Sequence, residues 1–273
     1  MFIGDFIIKN EGIEQEYYPR DDFEIQVYEV IRLINGIPVF YDEHYDRFVE
    51  SCRTANITVG FTRKWLAKKV VHLAKMNSLE NCNLKYFYNV YANNVEFYAG
   101  FIKSSYPDQC LYNTGVQVGI LFEERTNPSA KLLNTSIKNK ADNLIVSHGF
   151  YEVALVNRLG EITEGSRSNL FFIADDSIYT APSALVLSGV TRKVIIEEIK
   201  QLGYPLIEST ILLDDLDRFR AAFISGTSPS VLPIALLNSH EFEVPNYKAV
   251  MIEKAYQSRI LDDIIKFRNR YLL

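Results

Sequence analysis

The chain has 273 residues, 48% hydrophobic and 23% charged, with a formal net charge of −5. A chain this long buries roughly three-quarters of its unfolded surface, so it needs neither disulfides nor a metal to fold, and its composition excludes a disordered or collagen-like polymer. The negative charge argues against a general nucleic-acid surface. The scattered Cys52, Cys82 and Cys110 read as reduced thiols of a cytoplasmic protein. Met1–Asn10 is too short and too acidic for a signal peptide, and no apolar run is long enough to span a bilayer.

In chain order, Phe2–Lys9, Phe23–Leu33 and Leu84–Phe101 are rich in β-branched and aromatic residues and predict strands. Asn35-Gly36 between apolar runs predicts a tight hairpin, because both residues accept positive φ. Thr62 opens a helix with Leu66, Val70 and Leu73 on one face. The aromatic run from Tyr86 to Tyr98 reads as packed strand. Gly115–Phe122 is a further strand, and Glu123–Ala130, with Asn127 and Pro128, marks a domain junction. Beyond it, Ile137, Ala141, Leu144, Ile145 and His148 define a helix face that stops at Gly149. Strands follow at Glu152–Val156 and Asn169–Ile173, either side of a turn at Gly160. A helix over Thr191–Leu202, a buried strand over Ala221–Ser225 and a closing helix from Lys248 to Leu273 complete the pattern. The closing helix carries apolar residues at 252, 256, 260, 264, 267 and 271.

Several local features carry possible chemistry. In Leu187-Ser188-Gly189-Val190-Thr191-Arg192 a glycine turn opens a helix, whose first N–H groups suit a phosphate. Phe223-Ile224-Ser225-Gly226-Thr227-Ser228 runs a strand into a hydroxyl-bearing turn. Glu164 leads a turn into a buried strand, where a surface carboxylate is the ordinary alternative. His44 and Arg47 share a face if helical. Lys131 has nothing local that distinguishes it from a solvated lysine. No histidine or cysteine spacing suits a metal, so none is expected, and there is no GxSxG nucleophile turn.

Together, and in this order, Val27-Tyr28-Glu29-Val30, His44-x-x-Arg47-Phe48, Lys131-Leu132-Leu133-Asn134, Glu164-Gly165-x-x-x-Asn169-Leu170-Phe171, Gly189-Val190-Thr191-Arg192 and Ser225-Gly226-Thr227 resemble the fold-type IV pyridoxal-phosphate enzymes. That family holds branched-chain aminotransferases, D-amino-acid aminotransferases and aminodeoxychorismate lyases. The resemblance runs from about Phe23 to Leu273. It implies that Lys131, rather than the nearby Lys138 or Lys140, bonds to the aldehyde of pyridoxal 5′-phosphate. The Lys-x-Leu-Asn context and a 33-residue lead on Glu164 favour it. It further implies that Glu164 pairs with the pyridinium nitrogen, and that Arg47, the Val190 and Thr191 amides and Thr227 hold the phosphate. Such roles are chemically sound. A carboxylate beside the ring nitrogen keeps the ring an electron sink, a guanidinium and helix-start amides suit a phosphate dianion, and a lysine released from the cofactor can shuttle the α-proton.

Within the family, Tyr28-Glu29-Val30 is similar to the aminotransferases, above all the D-amino-acid type, whereas the lyases tend to carry Thr at Val30. Branched-chain enzymes usually place Tyr where this chain has Ser136, and the Arg-x-His pair that grips substrate carboxylate in D-amino-acid enzymes is absent after Tyr86-Phe87. The implied function is amino transfer between an amino acid and a 2-oxo acid. Aminodeoxychorismate lyase activity or a catalytically silent binding protein are the alternatives. Arg167, or else Arg125, is the candidate substrate-carboxylate anchor, with Tyr28, Tyr88 and Tyr91 completing the pocket. The implied architecture is a mixed α/β, two-domain fold. It has a small N-terminal α/β domain over 1–122, a linker over 123–130 and a larger cofactor-binding domain over 131–273, with the cofactor in the cleft between. The expected protein is a cytoplasmic homodimer acting on small molecules, with neither nucleic-acid nor membrane partners.

Overall fold

A computed structural model describes residues 2–15, 19–125 and 131–273. The chain forms two compact units. The first comprises Met1–Ser105, Ala130–Leu133 and Ser258–Leu273, and the second Tyr106–Ser129 and Asn134–Gln257.

The first unit is built on a six-stranded sheet of β1 (Phe2–Lys9), β2 (Gly12–Gln15), β3 (Ile25–Ile34), β4 (Ile37–Pro38), β5 (Cys82–Val90) and β6 (Val95–Ile102). The strand order is β2-β1-β6-β5-β3-β4, antiparallel throughout. Asn35 and Gly36 take φ of 51° and 73°, which turns β3 directly into β4. The expected single stretch Leu84–Phe101 is instead a hairpin. Tyr91 N–H donates to Asn94 O at 2.9 Å, and the polar Asn93-Asn94 pair turns the chain where the apolar pattern lapses. Helices α1 (Tyr41–Thr54) and α2 (Arg63–Asn77) follow β4, and the Thr62 hydroxyl caps α2 by accepting from Trp65 N–H at 3.2 Å. Phe48 of α1 packs against Tyr86 and Tyr88 of β5, with ring centres 4.8 and 5.8 Å apart. Strand alternation therefore turns Tyr86 and Tyr88 toward the helices and Lys85, Phe87 and Asn89 to the other face.

The second unit holds α3 (Leu111–Thr114), β7 (Val116–Phe122), α4 (Thr135–His148), β8 (Glu152–Val156), β9 (Ile162–Gly165), β10 (Asn169–Ile173), β11 (Ile178–Thr180), α5 (Val190–Gln201), β12 (Leu206–Glu208), β13 (Ala221–Gly226), β14 (Ser230–Leu237) and β15 (His240–Glu241). Its nine-stranded sheet runs β12-β11-β10-β13-β14-β7-β8-β9, with β15 on β14. The pairs β7–β8 and β11–β12 are parallel, and α4 and α5 supply the crossovers that parallel strands require. Leu170, Phe172, Ile224, Leu232 and Ile234 form the centre of its core.

The last helix, α6 (Tyr247–Tyr271), begins in the second unit and ends in the first. All six of its expected apolar positions, Ile252, Tyr256, Ile260, Ile264, Phe267 and Tyr271, are buried. The division of the chain thus departs from the expected 1–122 and 131–273. β7 joins the second unit because it pairs with β8 and β14, and residues 131–133 join the first because they pair with β3. Residues 126–130 of the expected linker lie outside the described residues.

Candidate active site

In the first unit Lys131 sits on a short extended segment docked on β3. Tyr28 N–H donates to Lys131 O at 3.2 Å, Leu133 N–H donates to Gln26 O at 3.0 Å, and Lys131 N–H donates to Ser51 Oγ at 3.1 Å. The Lys131 ammonium nitrogen is 5.0 Å from the centre of the Tyr28 ring. Three residues on, the Asn134 side chain caps α4 by accepting from Ile137 N–H, which accounts for the Lys-x-x-Asn spacing.

Glu29 of β3 and His44 and Arg47 of α1 form a buried triad. Arg47 donates through Nε to Glu29 Oε2 at 2.8 Å and through Nη2 to Oε1 at 2.6 Å, and His44 Nδ1 lies 3.2 Å from Oε1. Burial alone would push the Glu29 carboxyl up. Arg47 and then His44 outweigh it and hold the carboxyl well below the usual range. Burial favours neutral His44 despite Glu29, and the charges of Arg47 and Lys131 add to that effect. The bidentate pair aims a guanidinium whose charge cannot be lost. Lys131, Tyr28, His44 and Arg47 are thus electrostatic neighbours in one unit.

The expected substrate tyrosines part company. Tyr28 lies on the sheet face away from α1 and α2, but Tyr88 is on the helix-facing side. There its hydroxyl accepts from Gly60 N–H at 3.1 Å and its ring packs on Phe48 and Phe61. Tyr88 is therefore core, a correction that follows from the two-residue period of a strand. Tyr91, just past β5, is buried beneath the Arg20 guanidinium, 4.3 Å from its ring centre. It serves a polar chain rather than a pocket wall.

In the second unit Glu164 ends β9, buried, with both oxygens engaged. Oε1 accepts from Arg125 Nε at 2.6 Å and Oε2 from Leu187 N–H at 3.0 Å. Arg125 also donates to Ser166 O at 3.0 Å, so it braces the Glu164 turn instead of standing ready for a substrate carboxylate. Arg167 is likewise corrected. Its side chain is 61% exposed and paired with Asp142 of α4, because the turn directs it outward while the flanking serines point in.

Asn169 gathers the remaining motifs. It pairs with Ser225 across β10 and β13, and its side-chain amide donates to Leu187 O at 3.4 Å. A Cβ on Gly189 would lie 2.4 Å from Asn169 Oδ1, so any side chain where α5 begins would displace that amide. Gly189 supplies no side-chain cap, and the Val190 and Thr191 amides form the first turn of α5. Thr227 lies in the half-buried turn after β13.

Sequence reasoning missed Glu152. This buried carboxylate accepts from Ser166 N–H and Oγ, Arg167 N–H and Ser168 Oγ at 2.5–3.2 Å, and so clamps the turn that carries Glu164. The available signal was a charged residue inside the otherwise apolar strand Glu152–Val156.

Each unit by itself holds donors that suit part of a phosphorylated pyridine aldehyde. The first offers a lysine among cations and aromatic rings and a paired guanidinium, and the second a carboxylate with both oxygens bonded and a helix that starts at a glycine. The comparisons agree. Residues 26–237 match the model of amino-transferase class IV, and the chain belongs to that family, whose members are pyridoxal-phosphate-dependent enzymes. It is 27% identical over 249 residues to the D-alanine aminotransferase of Listeria monocytogenes, covering 84% of this chain and 86% of that one. It is also 27% identical over 223 residues to a "Probable branched-chain-amino-acid aminotransferase" of Thermotoga maritima, covering 79% and 78%. Its fold matches that of the branched-chain amino acid aminotransferase of T.th., solved with pyridoxamine 5′-phosphate. The TM-score there is 0.84 at 20% identity, over 98% of both chains.

Proposed function

We propose that this protein transfers an amino group between an amino acid and a 2-oxo acid, with pyridoxal 5′-phosphate held by Lys131. The observation that carries this reading is the grouping of Lys131 with Tyr28, His44 and the Glu29–Arg47 pair. When bound, the cofactor draws electrons from the substrate α-carbon so that its proton can leave. Lys131 Nζ would take that proton and give it back across the shared nitrogen, on the carbon that came from the cofactor aldehyde. Arg47, the Val190 and Thr191 amides and the Thr227 hydroxyl would hold the phosphate, and Glu164 would pair with the ring nitrogen. The neighbouring lysines suit the part less well, since Lys138 pairs with Asp142 and Lys140 with Glu123 on exposed faces of α4. We also place the protein in the cytoplasm as a homodimer. Phe122, Val146 and Leu159, large apolar side chains exposed on the second unit, support a covered surface there. No helix among the described residues is long and apolar enough to cross a membrane.

Purified protein loaded with the cofactor should be yellow, and borohydride reduction followed by peptide mapping should find the label on Lys131. Lys131→Ala should abolish colour and turnover, while Lys138→Ala and Lys140→Ala keep both. A label on Lys138 or Lys140 would overturn the assignment, and a colourless protein would overturn the enzyme. Amino transfer to 2-oxoglutarate against pyruvate release from aminodeoxychorismate separates transaminase from lyase.

A further inference from the structure

Arg167 pairs with Asp142 and Arg125 with Glu164, so neither expected arginine is directed at a substrate carboxylate. A different cation stands beside Lys131. Lys85 Nζ is 5.0 Å from the centre of the Tyr28 ring and 4.8 Å from that of Phe87. Lys131 Nζ is also 5.0 Å from the Tyr28 centre, so the two nitrogens are separated by no more than twice that distance. Both lysines belong to the first unit.

Lys85 is placed, not merely present. It lies on β5 opposite Val30, on the sheet face away from α1 and α2, and its ammonium lies over the Phe87 and Tyr28 rings. Its ammonium donates to Gln26 Oε1 at 2.6 Å, Gln26 Nε2 donates to Asn89 Oδ1 at 2.7 Å, and Asn89 Nδ2 donates to Tyr91 Oη at 3.0 Å. The Tyr91 hydroxyl completes the chain by donating to Arg20 O at 3.3 Å. An ammonium can only donate, so it fixes which end of the Gln26 amide faces it, and each later link inherits that direction. Gln26 and Asn89 are buried, and a buried polar chain holds one geometry only when every link is made. The aromatic walls lower the local dielectric, which strengthens the pull of this cation on an anion. Arg32 shares the sheet face but sits four residues along β3 from Tyr28, roughly 13 Å at the rise of a strand.

We propose that Lys85 binds the carboxylate of the amino-acid substrate, taking the part that Arg167 was expected to play. This rests on the reading that Lys131 carries the amino-transfer chemistry. The ligand chemistry is a carboxylate within reach of Tyr28, from the α-position or from an acidic side chain.

The test uses cofactor-loaded wild type and the variants Lys85→Gln, Lys85→Met and Lys85→Arg. Wild type without cofactor colour would fail the functional reading itself, independently of Lys85. In coloured protein, calorimetric titration with succinate, a carboxylate without an amine, should weaken at least tenfold in Lys85→Gln and recover in part in Lys85→Arg. KM for amino donors should rise tenfold or more with a smaller change in kcat. A rise for alanine, aspartate and glutamate alike assigns the α-carboxylate, and a rise confined to aspartate and glutamate assigns the side-chain carboxylate. Lys85→Met keeps an unbranched apolar side chain and removes the charge, and gives the same readings if Lys85→Gln folds poorly. Unchanged succinate binding and unchanged KM for every donor in a coloured variant would overturn the proposal. A lowered melting temperature without those changes would leave Lys85 a structural link only.

Discussion

Glu164 and Glu29 show how much a single buried carboxylate depends on its partners. Each Glu164 oxygen takes a different donor, Arg125 Nε or Leu187 N–H. In Glu164→Gln the side chain keeps one oxygen for two donors, and its amide N–H₂ must face one of them. The neutral amide also cannot hold a ring nitrogen protonated. The variant should still bind cofactor, read by absorbance, while turnover falls on the order of 10²–10³-fold, the usual cost of losing one such electrostatic partner. Near-normal turnover would reduce Glu164 to a turn residue. Glu29 does the corresponding service for Arg47. Its depressed carboxyl stabilises the fold above the unfolded-state value near 4.5, and that contribution is lost as pH falls through the folded value.

Helix α1 is an element whose start is tied down from far along the chain. Phe40, with φ of 52°, precedes it in the left-handed region, and its N–H donates to Asp263 Oδ2 of α6 at 2.5 Å. Burial pushes the Asp263 carboxyl up to about 6. Glu43 and Asp42 add to that rise, and the Phe40 N–H and Lys266 oppose it. The folded value lies above the unfolded value of 3.8, so the native state binds this proton more tightly. The stability that Asp263 supplies is therefore present at low pH and falls as pH rises from about 4 to about 6. Denaturant titrations of wild type and Asp263→Asn should diverge across that window. The variant should gain about 2 kcal/mol relative to wild type by pH 7.5, allowing for partial solvent access. Parallel curves would show that the buried charge is fully compensated.

At the scale of the whole molecule, α6 contributes to both units along one helix. Its last third places Phe267 and Tyr271 edge-on to Tyr41, each with ring centres 5.4 Å away. Burying Ile260, Ile264, Phe267 and Tyr271 is worth roughly 1.5–3 kcal/mol each, a sum comparable to the 5–15 kcal/mol that holds a typical domain together. Deletion of residues 258–273 should therefore abolish amide-exchange protection in β1, β3, β5 and β6. Retained protection would show that the first unit folds without it.

The amino-acid sequence determined whatever depends on near neighbours. The Asn35-Gly36 hairpin, the Thr62 cap, the six buried positions of α6 and the ordered motifs of the family were all legible, because turns, caps and helix faces are set by sterics within a few residues. The tertiary structure decided which face of a strand meets helices, and so that Tyr88 is core while Lys85 and Tyr28 share the other face. It also decided the charge partners: Arg167 with Asp142, Arg125 with Glu164, and Glu152 with a turn more than a dozen residues away. It was the fold, too, that gave residues 131–133 to the first unit. Such pairings turn on which segments pack together. A long, flexible ion adapts to whichever partner the chain delivers, so its choice leaves no local pattern in the sequence to read.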